Sequence, residues 1–420
     1  MFHSVLVRAQ IKKDSRAVAC AAIVLCYLVF FLRWPEILLD AQFWGEDGWS
    51  WWPDARKMGV ASMWSPHAGY LVVVCRLVGL LTVPLPLAWG PFLFAFVACV
   101  LDLMPAVFFI SSRGASICPS LWLRCAIALA WCALPNSWEV HGNLTNTQWY
   151  LSILSLLILI SAPPLSLKGW VFDSIMLVVG ALSGPFSILL SPVAILRAWQ
   201  VRSKTSYARM GIIVCGGMLQ VLVVHSAQRG IPPDLGASPI AFVRLISAQV
   251  ILATMVGHRH LLEWYQLRLW QSAILPWALF LLGLSLCVDA FRRWPLMRLC
   301  TLYMALALAA CLSHPLGSSN LPFWLLMLHP DSGTRYLFLT LVFWMTVVVL
   351  EASVPPWGWN RILASVLLAI SLVWGIPRDW RFPAVPDRNF YVIAREYDAA
   401  PKGKIFTIPV RPGSQAVYRK

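Results

Sequence analysis

Long apolar runs, each closed by a short polar or basic stretch, recur along most of the 420 residues. A run of about 17–25 apolar residues, wound as a helix, matches the hydrocarbon thickness of a bilayer and satisfies its own backbone there. The pattern predicts spans near 17–38, 85–110, 121–135, 147–163, 210–226, 272–290, 296–313, 336–352 and 360–376. The stretch 170–197 reads as two short helices broken at Ser183-Gly184-Pro185, because Gly-Pro at membrane depth is tolerated where it lines a protein cavity. The total is about eleven spans in an all-α integral membrane protein.

Between the spans the pattern changes. Residues 40–82 form a first loop whose second half, from Ala68 to Thr82, reads as an interfacial helix ended by Pro84 and Pro86. Residues 239–256 are amphipathic and are expected to lie on the membrane surface. The chain divides into a transmembrane unit, 1–376, and a small extramembrane tail, 377–420, whose run Lys404-Ile405-Phe406-Thr407-Ile408-Pro409-Val410 is strand-like.

Charge orients this arrangement. Arg8, Lys12, Lys13 and Arg16 precede the first span and place the N-terminus in the cytoplasm. The broken pair at 170–197 returns Arg197, Arg202, Lys204 and Arg209 to that side, together with Arg113, Arg124, Arg292, Arg293, Arg298 and Arg361. The tail carries nine Lys/Arg and still falls outside, as long segments can. The basic stretch before the first span is signal-like, but the run continues into Arg33-Trp34-Pro35-Glu36 without a small-residue cleavage site, so an uncleaved helix is expected.

Composition sharpens the class. With 59% hydrophobic residues and a mean hydropathy of +0.71, a soluble fold is excluded. The net charge of +15 would suggest nucleic acid in a soluble protein. Here the basic residues sit at the ends of apolar runs, where orientation and anionic lipid headgroups account for them, so nucleic acid is excluded as a partner. Eleven Cys are scattered mostly within apolar runs, with no CxxC, and read as small buried hydrophobes.

Chemistry concentrates in the polar loops. Glu46 and Asp47 stand together in Phe43-Trp44-Gly45-Glu46-Asp47-Gly48-Trp49, although only 18 residues of the chain are acidic. One reading is a helix cap at the N-terminal dipole. The other is a general base and a neighbour that holds the acceptor or raises its partner's pKa, since adjacent carboxylates cannot both ionise freely. The second is favoured because carboxylates rarely sit idle beside a bilayer. Asp47 is read as the base, or else Glu46, since the sequence alone does not fix the order.

On the same side lie Arg76, Arg244, Arg259 and Arg335, with His258 and His260. Arginine suits a lipid-phosphate leaving group because it supplies bidentate donors where negative charge develops. Arg335 and Tyr336 begin a span at the right depth, whereas a snorkelling side chain is the plainer role for any one of the set. The two His lack a third ligand and read as structural, and no metal is indicated. A third cluster, Glu139, His141, Asn143, Asn146, Gln148 and Trp149, offers the amides, carboxylate and aromatic face that read sugar hydroxyls, although Asn and Thr also cap helices. Asp102, within a span, reads as structural, with Arg113 or a hydroxyl as partner.

A cytoplasmic N-terminus, one helix, and an outer loop with an acidic pair and interfacial helices resemble the GT-C superfamily of multispan glycosyltransferases. The resemblance rests on Glu46-Asp47, on the approach Ser65-Pro66-His67-Ala68-Gly69-Tyr70 leading to Arg76, on Leu182-Ser183-Gly184-Pro185, and on Gly333-Thr334-Arg335-Tyr336. It implies a bacterial inner-membrane enzyme, its site facing the periplasm, that inverts configuration as it moves a sugar from a polyprenyl-phosphate donor. It also implies catalytic roles for Asp47 and Glu46, and donor-phosphate contacts from Arg335, Arg76 and Tyr336. The acceptor, a lipopolysaccharide or other cell-surface or lipid-linked glycan, would meet the 139–149 cluster, His67 and Tyr70. No cofactor is expected, and a divalent metal is left open but not indicated. Two other readings remain: a lipid or solute transporter or flippase, to which the 183–185 break would suit, and a lipid-linked glycan ligase or polymerase.

Overall fold

The computed structural model describes residues 2–226, 234–315, 321–330, 332–353, 358–382 and 385–420, with side chains from Ser15 onward. Residues 227–233, between two expected helices, and the side chains of Arg8, Lys12 and Lys13, lie outside the described residues. Among the described residues eight helices are long and apolar enough to cross a bilayer. Seven coincide with expected spans: Ser15–Arg33, Leu87–Ile110, Lys204–Ser226, Ile274–Arg293, Pro295–Ser313, Thr334–Ser353 and Trp359–Arg378.

Four other expected spans are helices of only 12 to 16 residues: Leu121–Cys132, Thr147–Ile160, Leu167–Ala181 and Phe186–Val201. At 1.5 Å per residue they reach roughly 18–24 Å, short of a hydrocarbon core of about 30 Å. The break between the last two falls where expected, at Ser183 and Gly184.

Burial sorts the helices into centre and rim. Thr147–Ile160 is buried along its whole length, and Thr334–Ser353 is 83% buried, so both run through the protein interior. Ser15–Arg33 is 11% buried and Ile274–Arg293 22% buried, leaving apolar faces for lipid. One expectation fails here. Pro239–Val256 does not lie on the surface but is 67% buried, locked to its neighbours by Ser247 Oγ donating to Pro276 O at 2.7 Å and Gln249 Nε2 donating to Leu328 O at 2.9 Å. Its small and polar residues, which looked like a water-facing stripe, are packing and hydrogen-bonding positions between helices.

The first loop is also rearranged. The interfacial helix begins at Val73, not Ala68, because residues 67–70 close a tight turn with Ala68 and Gly69 at positive φ. Asp102 accepts from the Gly142 N–H at 2.9 Å, while its expected partner Arg113 is engaged with Asp173.

The tail folds as a helix and a hairpin whose first strand falls on the expected strand-like run, and the structure supplies its anchor. Helix Phe390–Ala399 is followed by an antiparallel hairpin, Ile405–Val410 with Ser414–Arg419, in register Ile405↔Arg419 to Val410↔Ser414. The hairpin pairs with the first loop: Gly45 N–H donates to Arg411 O and Arg411 N–H to Phe43 O, each at 2.8 Å. Tyr418 OH donates to Gly48 O at 2.6 Å, and Phe43, Trp52, Phe390, Tyr397 and Tyr418 form one aromatic cluster beneath it. Tail and first loop therefore sit at the same end of the bundle.

Candidate functional site

Glu46 and Asp47 are adjacent in sequence but not in environment. Gly45 takes a positive φ, which turns the chain into a short π-helical segment, Asp47–Trp51, that begins directly after Glu46. Glu46 makes no side-chain cap hydrogen bond, so the capping role is not carried by its carboxylate. Asp47 is 4% exposed and lines a cavity of about 20 Å³ beside Trp34, Trp44, Asn143 and Arg411. Burial, and then the charge of Glu46, holds its pKa well above the usual carboxylate range. Asp47 is thus enclosed beside the charge of Glu46, which is itself half-buried.

That charge is felt by the turn opposite. His67 and Tyr70 form an antiparallel bridge, with N–O distances of 2.9 and 3.1 Å. Burial pushes His67 below its ordinary range against the opposing pull of Glu46, so the imidazole is neutral near pH 7. Burial raises Tyr70 to about 12, keeping its hydroxyl protonated beside the Gln148 amide. Tyr70 lies within electrostatic range of Glu46, Arg335 and Tyr336. Trp51 closes the side: its ring meets His67 edge-on at 4.6 Å and its Nε1 donates to Thr145 Oγ1 at 2.9 Å.

Arg335 arrives from the far end of the sequence. Gly333 in the left-handed region starts a 3-10 turn, Thr334–Leu337, that feeds the buried helix behind it. Glu139 collects that turn: its carboxylate pairs with the Arg335 guanidinium and accepts from Arg335 N–H at 2.9 Å and from Thr334 Oγ1 at 3.1 Å. The Arg335 side chain remains 35% exposed and stacks over the Tyr336 ring at 4.8 Å. Asn146 Nδ2 donates to Glu139 O at 3.0 Å and steadies the other partner. A guanidinium held by Glu139 and Tyr336 on a partly exposed side chain is a pre-positioned cation of the kind that pairs with phosphate.

Other expected site residues are placed elsewhere. His141 is 1% exposed, stacked at 3.7 Å on Phe30 and edge-on to Phe382, with Nε2 3.0 Å from Phe30 O. Burial and Arg33 push it well below its ordinary pKa, and it packs beneath the loop instead of lining it. Asn143 caps the following turn by accepting from Thr145 N–H at 3.1 Å. Trp149 is 5% exposed, against Phe186 and Tyr336, so it supports the site from behind and has no free face for a sugar. Arg76 is 1% exposed, paired with Asp54 and 4.7 Å over the Trp51 ring. Its charge is already answered, and it positions Trp51 instead of reaching a phosphate.

Tyr70 therefore lies beside Gln148 and within the influence of Glu46 and Arg335, while Asp47, His141, Trp149 and Arg76 are engaged in packing contacts of their own. Sequence reading missed the brace that holds the Tyr70 turn. Gln220 Oε1 accepts from Leu71 N–H at 2.9 Å while its Nε2 donates to Leu71 O and Ala181 O. Gly184 N–H donates to Leu71 O at 2.8 Å, and Val74 N–H to Ser183 Oγ at 3.1 Å. An amide in the middle of an apolar helix was the available signal, since such groups need partners in lipid. Also missed was Asp379, which accepts from Asn136 N–H at 3.0 Å and from both His258 N–H and Nδ1, joining three loops at this end.

Comparison of the chain with family models, with curated proteins and with solved structures gives no match. Among the described residues no group of three or more His, Cys, Asp or Glu gathers at metal-holding distance.

Proposed function

We propose that this protein is a GT-C-type membrane glycosyltransferase with about eleven crossings, working at the outer face of a bacterial inner membrane. It moves a sugar from a polyprenyl-phosphate donor to a cell-surface glycan or lipid-linked acceptor. Glu46 removes the proton from the acceptor hydroxyl, whose oxygen attacks the anomeric carbon from the face opposite the phosphate. The bond from that carbon to the phosphate oxygen breaks, and polyprenyl phosphate leaves with its charge against Arg335. Asp47, buried behind it with a raised pKa, leaves Glu46 as the more accessible carboxyl of the pair.

The observation that supports this reading is the placement of Tyr70 beside Gln148 and within the influence of Glu46 and Arg335, residues of four separate segments at one end of a membrane bundle. A carboxylate without a capping duty, a phenol and an amide beside it, and a tethered arginine are the groups that inverting transfer from a lipid phosphate requires. The helix break that would suit a carrier is filled by hydrogen bonds from 71–74 to Ser183 and Gly184.

The test is transfer of radiolabelled sugar from a panel of polyprenyl-phosphate donors to glycan in membranes carrying the protein. Glu46→Gln should lower the rate by about 10²–10⁴-fold, the usual contribution of a general base. Asp47→Asn, which keeps a neutral side chain in a neutral site, should leave most of it. Near wild-type transfer by Glu46→Gln would remove the main support for an enzyme.

A further inference from the structure

At the end of the bundle opposite Glu46, arginines wrap the C-terminus of helix Thr147–Ile160. Arg197 Nη2 donates to Ile160 O at 2.9 Å, Arg209 Nη1 to Ser161 O at 2.9 Å, and Arg113 Nη2 to Ala162 O at 3.1 Å. Cations suit this negative end of the helix dipole. Asp173 answers them in part, lying 2.9 Å from Arg113 and 2.6 Å from Arg209. Three guanidinium groups around one carboxylate leave two positive charges in excess.

Beside Arg113 opens a cavity of about 640 Å³. Its lining combines apolar Met104, Val107 and Phe172 with Arg113, Ser112 and Ser166. The Arg113 side chain is 21% exposed there. Next to the mouth stand Leu165 and Leu167, 105% and 79% exposed, beside Lys168. Leucines this bare are unfavourable in water, so the mouth opens toward lipid.

We propose that this cavity holds an anionic phospholipid. Its phosphate sits against Arg113 and the hydroxyls of Ser112 and Ser166, and an acyl chain runs along Met104, Val107 and Phe172. The net positive charge of the cluster behind Arg113 selects the lipid: a zwitterionic headgroup brings its own cation toward that cluster, whereas an anionic one neutralises it. The site is separate from the proposed catalytic one and does not depend on it.

The experiment is native mass spectrometry of the full-length protein in detergent, titrated with dioleoyl-phosphatidylglycerol or dioleoyl-phosphatidylcholine, with inorganic phosphate as competitor. Phosphatidylglycerol should bind in preference. Ser112 is exposed on the rim, so Ser112→Glu should weaken it by about tenfold and Ser112→Arg should strengthen it, one rim charge being worth about that much. Opposite shifts from one position cannot arise from misfolding. Equal binding of the two lipids, or phosphatidylglycerol binding that ignores both substitutions, would overturn the proposal. Full displacement by inorganic phosphate would reassign the site to a free anion and overturn it as well.

Discussion

Arg335 donates to Glu139 twice, from its backbone N–H at 2.9 Å and from its guanidinium, across 196 residues of sequence. This contact joins the loop before helix Thr147–Ile160 to the turn that opens helix Thr334–Ser353. Removing one partner of a part-buried charged pair strands the other, at about 1–3 kcal/mol. Glu139→Gln and Arg335→Gln should each lower the thermal midpoint, and the double variant should lose less than the two singles added together. Strict additivity in that double-mutant cycle would show that the pair does not couple the two loops.

Asp47 sets a pH dependence. Its folded pKa lies above the ordinary aspartate value of about 3.9, so the folded state holds the proton more tightly than the unfolded chain. The resulting stabilisation is complete below the unfolded pKa and is lost as pH rises toward the raised folded value. Thermal midpoints in detergent should therefore fall over the range above pH 4 more steeply in wild type than in Asp47→Asn. Parallel profiles would mean that Asp47 is ionised in the fold.

The tail depends on one close approach. A Cβ built on Gly48 would lie 2.6 Å from Val410 Cγ2 and 3.2 Å from Phe43 Cβ. Gly48→Ala should push the hairpin off the first loop, and Tyr418→Phe should strand Gly48 O at a cost of about 1–3 kcal/mol. Both should speed proteolysis after Lys402 or Lys404 while the bundle stays inserted. Unchanged cleavage in Gly48→Ala would show that the hairpin does not need the loop.

Orientation is read most directly with introduced thiols. Positions 50, 328 and 402 lie at the Glu46 end, whereas 205 lies at the end where Arg197 and Arg209 gather. In a background with exposed Cys20 and Cys215 replaced, an impermeant reagent added to intact cells should label Ser50→Cys, Leu328→Cys and Lys402→Cys but not Thr205→Cys. Labelling of 205 alone would invert the topology and move the proposed site to the cytoplasm.

Much of the helix framework was readable along the chain, because hydropathy is a local property and a lipid solvent leaves helices few alternatives. The runs behind seven long helices, the break at Ser183-Gly184, the strand at 405–410 and the acidic pair were all visible there. What lay beyond local pattern was direction and depth. Nothing in Glu46-Asp47 tells which carboxyl is enclosed; Gly45 and the docked tail decide it, by burying Asp47 beside Trp34 and Arg411. Arg76 looked like a cation awaiting phosphate until packing set Asp54 and Trp51 against it. Residues 239–256 carried an amphipathic pattern that fits a membrane surface and a helix interface equally well, and partners such as Pro276 and Leu328 settle which. Periodicity records what a segment can bury, but only the meeting of distant segments decides which neighbour buries it.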